Sequence, residues 1–480
     1  MKIKINRFGL VDTILLLQIV VQFMMIFYGT FVACDSLNLA IFYNNYGIIA
    51  LIVISLIRKG GASHFLALMF FVCFFIFLMG QKIFKEEKNV FLTFARTALD
   101  TQQFFTFTVI MALGIIVTYY SYILFYYNNK DTNNKIQLKE CNPKTILPLI
   151  RLIYFVTLPA AVYMQMKIVL VRSAISYTSG YIMNVNIPMI IKVGYYIFTG
   201  FTLIYLAARP SKKEVYFIIS VLFIIEGGVQ LLQGRRALFA TTLFFVIWYL
   251  IKFYGIKKIN MKYFLAFTLG GIALVVLFFY VEMQRSGINI GKVDFLYIVE
   301  RFMSSTGGSD SVIANTIDKA KLFPKPGIVY LVDPIINNPI TVILTGKGGI
   351  NQGVNHLNSF NSFSNWISYL TQSSLYTSGH GMGSCYLAEL YLAFGCMGVF
   401  TGSIVVGFFL NYMAQVKLNG SIFKTSIVFL LVKSLFTLPR SGFFSWFGNF
   451  IYLFVAFCII YPFYNIYCKN RVLLGENNER

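Results

Sequence analysis

The sequence predicts an all-α integral membrane protein with about 12 transmembrane helices and one large loop outside the membrane. Of its 480 residues, 58% are hydrophobic and 18% aromatic, whereas only 12% are charged. A chain this apolar cannot fold around a single water-soluble core. Its apolar runs are long and lack the polar and apolar alternation of a membrane β-barrel, so helices are the predicted way of crossing the bilayer.

Apolar runs of roughly 20 residues, the length needed for one crossing, recur along the chain. The first run follows a basic N-terminus and is long enough to span, so we interpret it as a retained signal anchor. Between the ninth and tenth runs lies a polar segment, which divides the chain into helices (1–281), a loop (282–385) and helices (386–480). The predicted spans are 10–33, 38–57, 64–80, 103–127, 146–170, 187–208, 215–233, 237–254, 262–281, 386–411, 420–438 and 446–467.

The basic residues predict the orientation of these spans. Lys and Arg cluster in alternate short connections and at both termini, which the positive-inside rule assigns to the cytoplasm. The loop 282–385 then lies on the outer face. A net charge of +22 that is distributed in this way indicates membrane topology and disfavours nucleic acid as a partner. The seven cysteines are scattered without ligand-like spacing, so neither a disulfide framework nor a metal site is predicted.

A group of arginines departs from this rule, because its members fall at the outer ends of predicted helices. The planar guanidinium is always charged and suits phosphate oxygens, so these residues are candidate ligands for a lipid-linked diphosphate. Alternatively, each one reaches to headgroups or pairs with a local carboxylate. The pair in Gln233-Gly234-Arg235-Arg236 favours function, since its turn is short and lies between two apolar helices. The candidates are Arg172, Arg235, Arg236, Arg285, Arg301 and Arg440.

The outer loop is predicted to be ordered. Helical spacing appears in 294–303 and 312–320, while 323–345, with its four prolines, predicts an extended crossing. The remainder, 346–383, is rich in Gly, Asn and Ser with interleaved aromatic residues. Amides, hydroxyls and flat rings are the groups that a carbohydrate site needs, although the same rings can simply pack the loop onto the helices.

Three residues are candidates for a base or a substrate-orienting group. His356 and His380 lie in the outer loop, and an imidazole is suited to accept a hydroxyl proton near neutral pH. The alternative for each is an ordinary hydrogen-bonding role. Glu389 lies about one turn inside a span, where a carboxylate is costly unless it faces a polar cavity or an arginine. A base role and a structural role both remain open for Glu389.

Three short motifs carry a family resemblance. These are Gln233-Gly234-Arg235-Arg236, the glycine-rich Gly381–Ser384 leading into Ala388–Gly398, and Leu438-Pro439-Arg440-Ser441. Together with the number of spans, they resemble the Wzy-type O-antigen polymerases and, more distantly, the O-antigen ligases. The chain lacks the regularly spaced Arg–Gly pairing of some members and the His–Asn pair of the ligases, which leaves the base unassigned.

The resemblance implies a GT-C-like, inverting glycosyltransferase that needs no metal or other cofactor. Such an enzyme joins undecaprenyl-diphosphate-linked oligosaccharides on the periplasmic face of the bacterial inner membrane during lipopolysaccharide O-antigen biosynthesis. Membrane lipids and a chain-length regulator are the further partners it implies. It assigns the diphosphate to the six arginines and a base or orienting role to His380, Glu389 or His356.

Two other functions fit part of the pattern. A flippase for lipid-linked oligosaccharides also has about 12 spans and a basic balance, but it keeps short external loops and places charges along a central cavity. A membrane acyltransferase is disfavoured because the histidines do not fall in its motifs.

Overall fold

The computed structural model describes residues 9–84, 88–92, 96–128, 146–174, 185–233, 236–254, 270, 273, 275–280, 283, 294–347, 352–416 and 421–476. It is 82% helical, and the described residues hold one two-stranded antiparallel sheet, in which Val90 pairs with Ala98. The predicted all-α class is therefore confirmed.

The helices before the loop follow the predicted spans closely. They are α1 (Leu10–Gly29), α2 (Asp35–Arg58), α3 (Phe65–Leu78), α4 (Gly80–Ile83), then β1 (Val90–Leu92) and β2 (Arg96–Ala98), α5 (Thr101–Asn128), α6 (Leu147–Ala174) and α7 (Met189–Ala207). Next come α8 (Lys212–Leu222), a π-helical stretch (Phe223–Gly228) and α9 (Val229–Leu232), which form one continuous span, and α10 (Arg236–Tyr254).

The loop and the helices after it are also regular. The loop contains α11 (Phe295–Thr306), α12 (Asp310–Lys319), a 3-10 turn (Ala320–Leu322), α13 (Gly327–Ile336), α14 (Pro339–Leu344), α15 (Val354–Ser359), α16 (Phe363–Thr371) and α17 (Ser373–Thr377). It is followed by α18 (Tyr386–Gln415), α19 (Ile422–Thr437), a 3-10 turn (Leu438–Arg440) and α20 (Phe447–Glu476).

Nine helices within the described residues are long and apolar enough to cross a membrane. Two more of the predicted spans correspond to shorter apolar helices, α3 with 14 residues and the stretch Phe447–Phe463 of α20. The predicted span 262–281 lies mostly outside the described residues. A multi-pass helical membrane protein is thus established, and the number of about 12 spans stays a prediction.

Glycines allow two of the central helices to pack closely. A Cβ atom on Gly407 of α18 would lie 2.6 Å from the Thr118 carbonyl oxygen of α5. At a second place between the same two helices, a Cβ on Gly114 of α5 would lie 3.0 Å from the Leu387 side chain of α18. Small residues at such positions let membrane helices approach until their backbones touch, which replaces the hydrophobic driving force that lipid does not supply.

Helix ends that the basic residues assign to one side contact each other in the structure. On the side predicted to be cytoplasmic, Lys59 forms an ion pair with Asp12 at 2.9 Å, and Arg151 forms one with Glu214. The Gln415 amide donates to the Tyr126 carbonyl at 2.7 Å on the same side. The segments predicted on the outer face meet at the site described below. Which side faces the cytoplasm stays a prediction.

One prediction for the loop was wrong. The proline-rich segment 323–345 is not extended but forms α13 and α14. Pro339 takes the first position of α14, where a missing N–H costs nothing, and Asn338 caps that helix by accepting from the Ile340 and Thr341 amides. The predicted helices 294–303 and 312–320 are confirmed as α11 and α12. The division at 281 lies outside the described residues.

Candidate functional site

The C-terminal end of α11 is the point where two of the predicted arginines meet. Arg236 donates through Nη1 to the Ser305 hydroxyl at 3.2 Å and to the Phe278 carbonyl at 3.5 Å. Arg440 donates through Nη1 to the Thr306 carbonyl at 3.4 Å. Ser305 is 69 positions from Arg236 in the sequence, and Thr306 is 134 positions from Arg440. Two arginines from separate motifs therefore lie against neighbouring residues of one helix end.

Arg301 belongs to the same place, because it lies in α11 one turn before Ser305. We call Arg236, Arg301 and Arg440 the arginine cluster. The cations suit this position since the C-terminus of a helix carries partial negative charge. Arg440 also lies over the Phe77 ring, 5.8 Å from its centroid, and remains exposed.

Close backbone packing fixes the end of α11. Met303 packs on Gly80 of α4, where a Cβ would lie 3.3 Å from its sulfur. Gly307, which follows α11, packs so tightly against the Gly80–Gln81 backbone that a Cβ at this position has no room. The backbone at the start of α4 thus packs against the end of α11, where the arginine cluster lies.

The structure does not describe the side chains of the other three candidate arginines. Arg235 and Arg285 lie outside the described residues, and Arg172 lies in the last turn of α6, with its side chain outside the description. The described residues before Arg235 are anchored to α6. Gln233 is buried and donates to the Gln165 side chain of α6 at 2.9 Å, and Gln230 donates to the same oxygen at 3.3 Å.

Glu389 lies close to the segment that follows Arg440. The carboxylate is buried, accepts from the Ser384 hydroxyl at 2.7 Å and accepts from the Phe443 backbone amide at 2.8 Å. A Cβ on Gly442 would lie 2.5 Å from its Oε1 atom. This geometry allows Glu389 to hold the backbone next to Arg440 in place through a charge-assisted hydrogen bond.

The two loop histidines lie in separate surroundings. The Nδ1 atom of His356 is 3.0 Å from the Asn365 amide nitrogen, and its ring stacks on Phe360 at 4.5 Å. Burial lowers the pKa of His356 below its usual 6.5, and the nearby Asp333 carboxylate opposes that shift. His356 is therefore mostly neutral at pH 7, which is the form that can accept a proton.

His380 makes contacts of a different kind. Its Nδ1 atom is 3.1 Å from the Ser378 hydroxyl, and its carbonyl accepts from the Gln352 amide at 2.6 Å. Within the described part of the chain, none of the contacts of either histidine involves the arginine cluster. Within the described residues, Glu389 is the one base candidate that contacts the segment next to an arginine of the cluster.

Comparison with known proteins gives a family for the chain. Neither the curated proteins nor the solved structures contain a match. The family model described as O-antigen polysaccharide polymerase Wzy matches residues 14–471, nearly the whole chain. The chain belongs to the Wzy family. The resemblance carried by the three short motifs is thereby confirmed, and the family as a whole is a polymerase that acts on lipid-linked oligosaccharide repeat units.

Two buried carboxylates of this Wzy protein were missed by sequence reasoning. Asp310 begins α12, is fully buried and lies near the charge of Lys82. Burial raises the pKa of Asp310, and the Lys82 charge opposes the shift. In the sequence it ends a Gly- and Ser-rich turn, which is typical of an exposed residue. The charge near it belongs to Lys82 of α4, more than 200 residues earlier in the chain.

Asp333 is the second missed carboxylate. It lies in α13, accepts from the Asn337 amide at 2.6 Å and accepts from the Asn361 backbone amide at 2.9 Å. Burial raises the pKa of Asp333, and these hydrogen bonds together with His356 oppose the rise. Because the segment was predicted to be extended, no reason existed to expect a buried acid at this position.

Proposed function

We propose that this protein polymerises undecaprenyl-diphosphate-linked oligosaccharide repeat units on the periplasmic face of the bacterial inner membrane, with inversion at the anomeric carbon. A hydroxyl of one unit attacks C1 of the reducing-end sugar on the other. The bond between C1 and the diphosphate oxygen breaks, and the lipid diphosphate leaves with the electron pair. The hydroxyl proton passes to a base.

The observation that carries this proposal is the convergence of Arg236 and Arg440 on Ser305 and Thr306, with Arg301 one turn away. A leaving diphosphate gains negative charge in the transition state. Cations that are already in place at that moment lower the barrier, because they need no reorganisation. The planar guanidinium also matches two phosphate oxygens at once.

The contacts of the base candidates suggest different roles for them. His356 has the properties of a base, since it is neutral at pH 7 and lies near the Asp333 carboxylate, which would stabilise the protonated ring. Glu389 has the contacts of a positioning residue for the Arg440 segment. His380 is held by Ser378 and Gln352 and would orient a saccharide hydroxyl.

The proposal is tested by complementing a strain that lacks this gene and separating its lipopolysaccharide by gel electrophoresis. Arg236→Ala and Arg440→Ala each remove one protein cation that stabilises the leaving diphosphate. We therefore expect long chains to disappear while a single repeat remains on the lipid core. A loss of about 100-fold in rate is typical for one such group. Arg440→Lys should recover part of the ladder.

Arg151→Ala is the matched control, because Arg151 is exposed and paired with Glu214 away from the arginine cluster. It should leave the ladder unchanged. Normal chain lengths in both cluster variants, at wild-type protein levels in the membrane, would contradict the diphosphate role.

A further inference from the structure

A cavity separate from the arginine cluster lies between membrane helices and the loop. It has a volume of about 720 Å³ and opens between α6, α7, α20 and the loop helices α13 and α14. Its polar lining consists of Lys192, Tyr196, Asn337, Asn338, Ser445 and Tyr452. Apolar walls are supplied by methionine, valine and isoleucine side chains from the same elements. None of the residues of the arginine cluster lines it.

Lys192 is the charged group of this cavity. It lies one turn into α7, is half-buried, and has no hydrogen bond or ion pair with any residue that the structure describes. A half-buried ammonium without a partner at a membrane surface is costly, and an anion removes that cost. The Ser445 hydroxyl is exposed in the same lining and, within the described residues, is also uncommitted. Both groups are therefore available to a phosphate that enters the cavity.

The other polar groups are suited to sugars rather than to charge. The Tyr196 and Tyr452 rings stack on each other at 4.4 Å and an angle of 4°, which presents a broad aromatic surface. Asn338 is occupied with capping α14, whereas the Asn337 side chain keeps its oxygen available after its amide has donated to Asp333.

The rim of the cavity is lipid-like. On the loop side, Leu344 and Ile343 are 79% and 48% exposed, and Ile190 of α7 is 80% exposed. Large apolar residues at such exposure are stable when they face acyl chains rather than water. An amphiphile with a phosphate head therefore fits this place better than a soluble anion does.

We infer that this cavity binds the diphosphate and first sugars of the acceptor unit, while the arginine cluster binds the donor. The inference rests on the proposed function. It follows from the difference in charge between the two sites. Only the donor's diphosphate becomes a leaving group and gains charge, which calls for several arginines. The acceptor keeps its diphosphate bond intact throughout, so a single ammonium and a hydroxyl are sufficient to hold it.

The distance between the two sites is compatible with one reaction. Ser445 follows Arg440 by five residues, so their Cα atoms are at most about 18 Å apart. An oligosaccharide of a few rings covers such a distance, which lets the far end of the acceptor reach the donor's C1. Glu389 bonds to Phe443, in the middle of this connecting segment, and thereby fixes the spacing.

Native mass spectrometry of the full-length protein in detergent, titrated with undecaprenyl diphosphate, tests the inference. Wild type should bind two molecules per chain. Lys192→Gln should weaken one of the two about tenfold, the effect of losing one charged hydrogen bond, and Lys192→Arg should retain it. Lys213→Gln, a change at an exposed lysine near the opposite end of the membrane helices, is the control and should bind two.

Two results would overturn the inference. Binding by Lys192→Gln that equals wild type shows that the cavity does not hold a diphosphate. Displacement of the Lys192-dependent molecule by an equal concentration of phosphatidylglycerol shows a general phospholipid site. Failure of the proposed function is separate, since Arg440→Gln would then leave both binding events intact whatever Lys192→Gln does.

Discussion

Single side chains around Arg440 show how a charged residue is held at a membrane surface. Its guanidinium contacts the Thr306 carbonyl and the Phe77 ring, and the backbone three residues later is bonded to Glu389. The sequence singled out both charges, because an arginine on the outer side and a carboxylate inside a span each break a general rule. That Arg440 and Glu389 are linked through one short segment could not be predicted. The link depends on the backbone groups of Thr306 and Phe443, and no sequence pattern marks these two residues.

Gly442 offers a test of the Glu389 contact. The change Gly442→Ala would place a Cβ 2.5 Å from the carboxylate, so Glu389 or the segment beside Arg440 must move. A displacement of about 1 Å in a catalytic group can cost roughly 100-fold in rate. We expect shorter lipopolysaccharide chains at normal protein levels.

The control for this variant is Gly353→Ala, because a Cβ at Gly353 meets nothing within 4 Å. It should give wild-type chains. Wild-type chains from Gly442→Ala as well would mean that the contact between Glu389 and Gly442–Phe443 does not position Arg440.

Asp310 predicts a pH dependence of stability. Burial raises its pKa above the ordinary 3.8, so the folded protein holds this proton more tightly than the unfolded protein does. The stability associated with the group is complete below pH 3.8 and is lost as the pH rises through the folded pKa. Asp310→Asn removes this loss, and the variant should unfold at a higher temperature than wild type at pH 8.

The difference in unfolding temperature should shrink when both proteins are measured in detergent at pH 5. A lower unfolding temperature of Asp310→Asn at pH 8 would show instead that the charged carboxylate stabilises the fold through Lys82.

At the scale of elements, an ion pair joins the π-helical stretch that precedes Arg236 to α19, the helix that precedes Arg440. Glu226 lies in the π-helical stretch before Arg236, and Lys433 lies in α19, seven residues before Arg440. Their side chains form an ion pair and are 10% and 23% exposed, respectively. Arg440 lies in the 3-10 turn that directly follows α19, so the position of α19 affects the position of Arg440. The pair can therefore set the register between the two arginine-bearing ends.

Charge reversal tests this role. Glu226→Lys places two ammonium groups together inside the bundle, and we expect polymer to be lost. The double variant with Lys433→Glu restores an ion pair with exchanged partners and should recover a substantial part of the ladder. Equal loss in the single and double variants, at equal amounts of inserted protein, would show that the pair does not act as a register between the two helices.

Element boundaries were predictable where hydrophobicity decides them and not where prolines do. The apolar runs that correspond to α1, α5 and α18 were found within a few residues. The error in 323–345 has a local cause, because proline does not always mark extended chain: Pro326 and Pro339 stand at helix starts, and Pro334 lies within α13. The π-helical stretch contains Glu226, Gly227 and Gly228, and no periodicity in the sequence distinguishes it from the α-helix on either side.

For the whole molecule, the sequence predicted which ends share a side, and the structure brings those ends together. The arginine cluster and its supports combine α3, α4, α10, α11 and the turn after α19, which are distant in the chain. Contacts between elements so far apart in the chain follow from packing, such as the glycine contacts between α5 and α18, and no local sequence pattern indicates them. The same holds for the cavity beside Lys192, which is built from five separate helices and the connections next to them.

The most direct measurement uses purified protein and lipid-linked repeat units taken from a strain that lacks the polymerase. We expect one lipid diphosphate to be released for each new glycosidic bond, and Arg440→Ala to reduce release and bond formation together by about 100-fold. Chain growth without release of lipid diphosphate, or full growth in the Arg440→Ala variant, would contradict it.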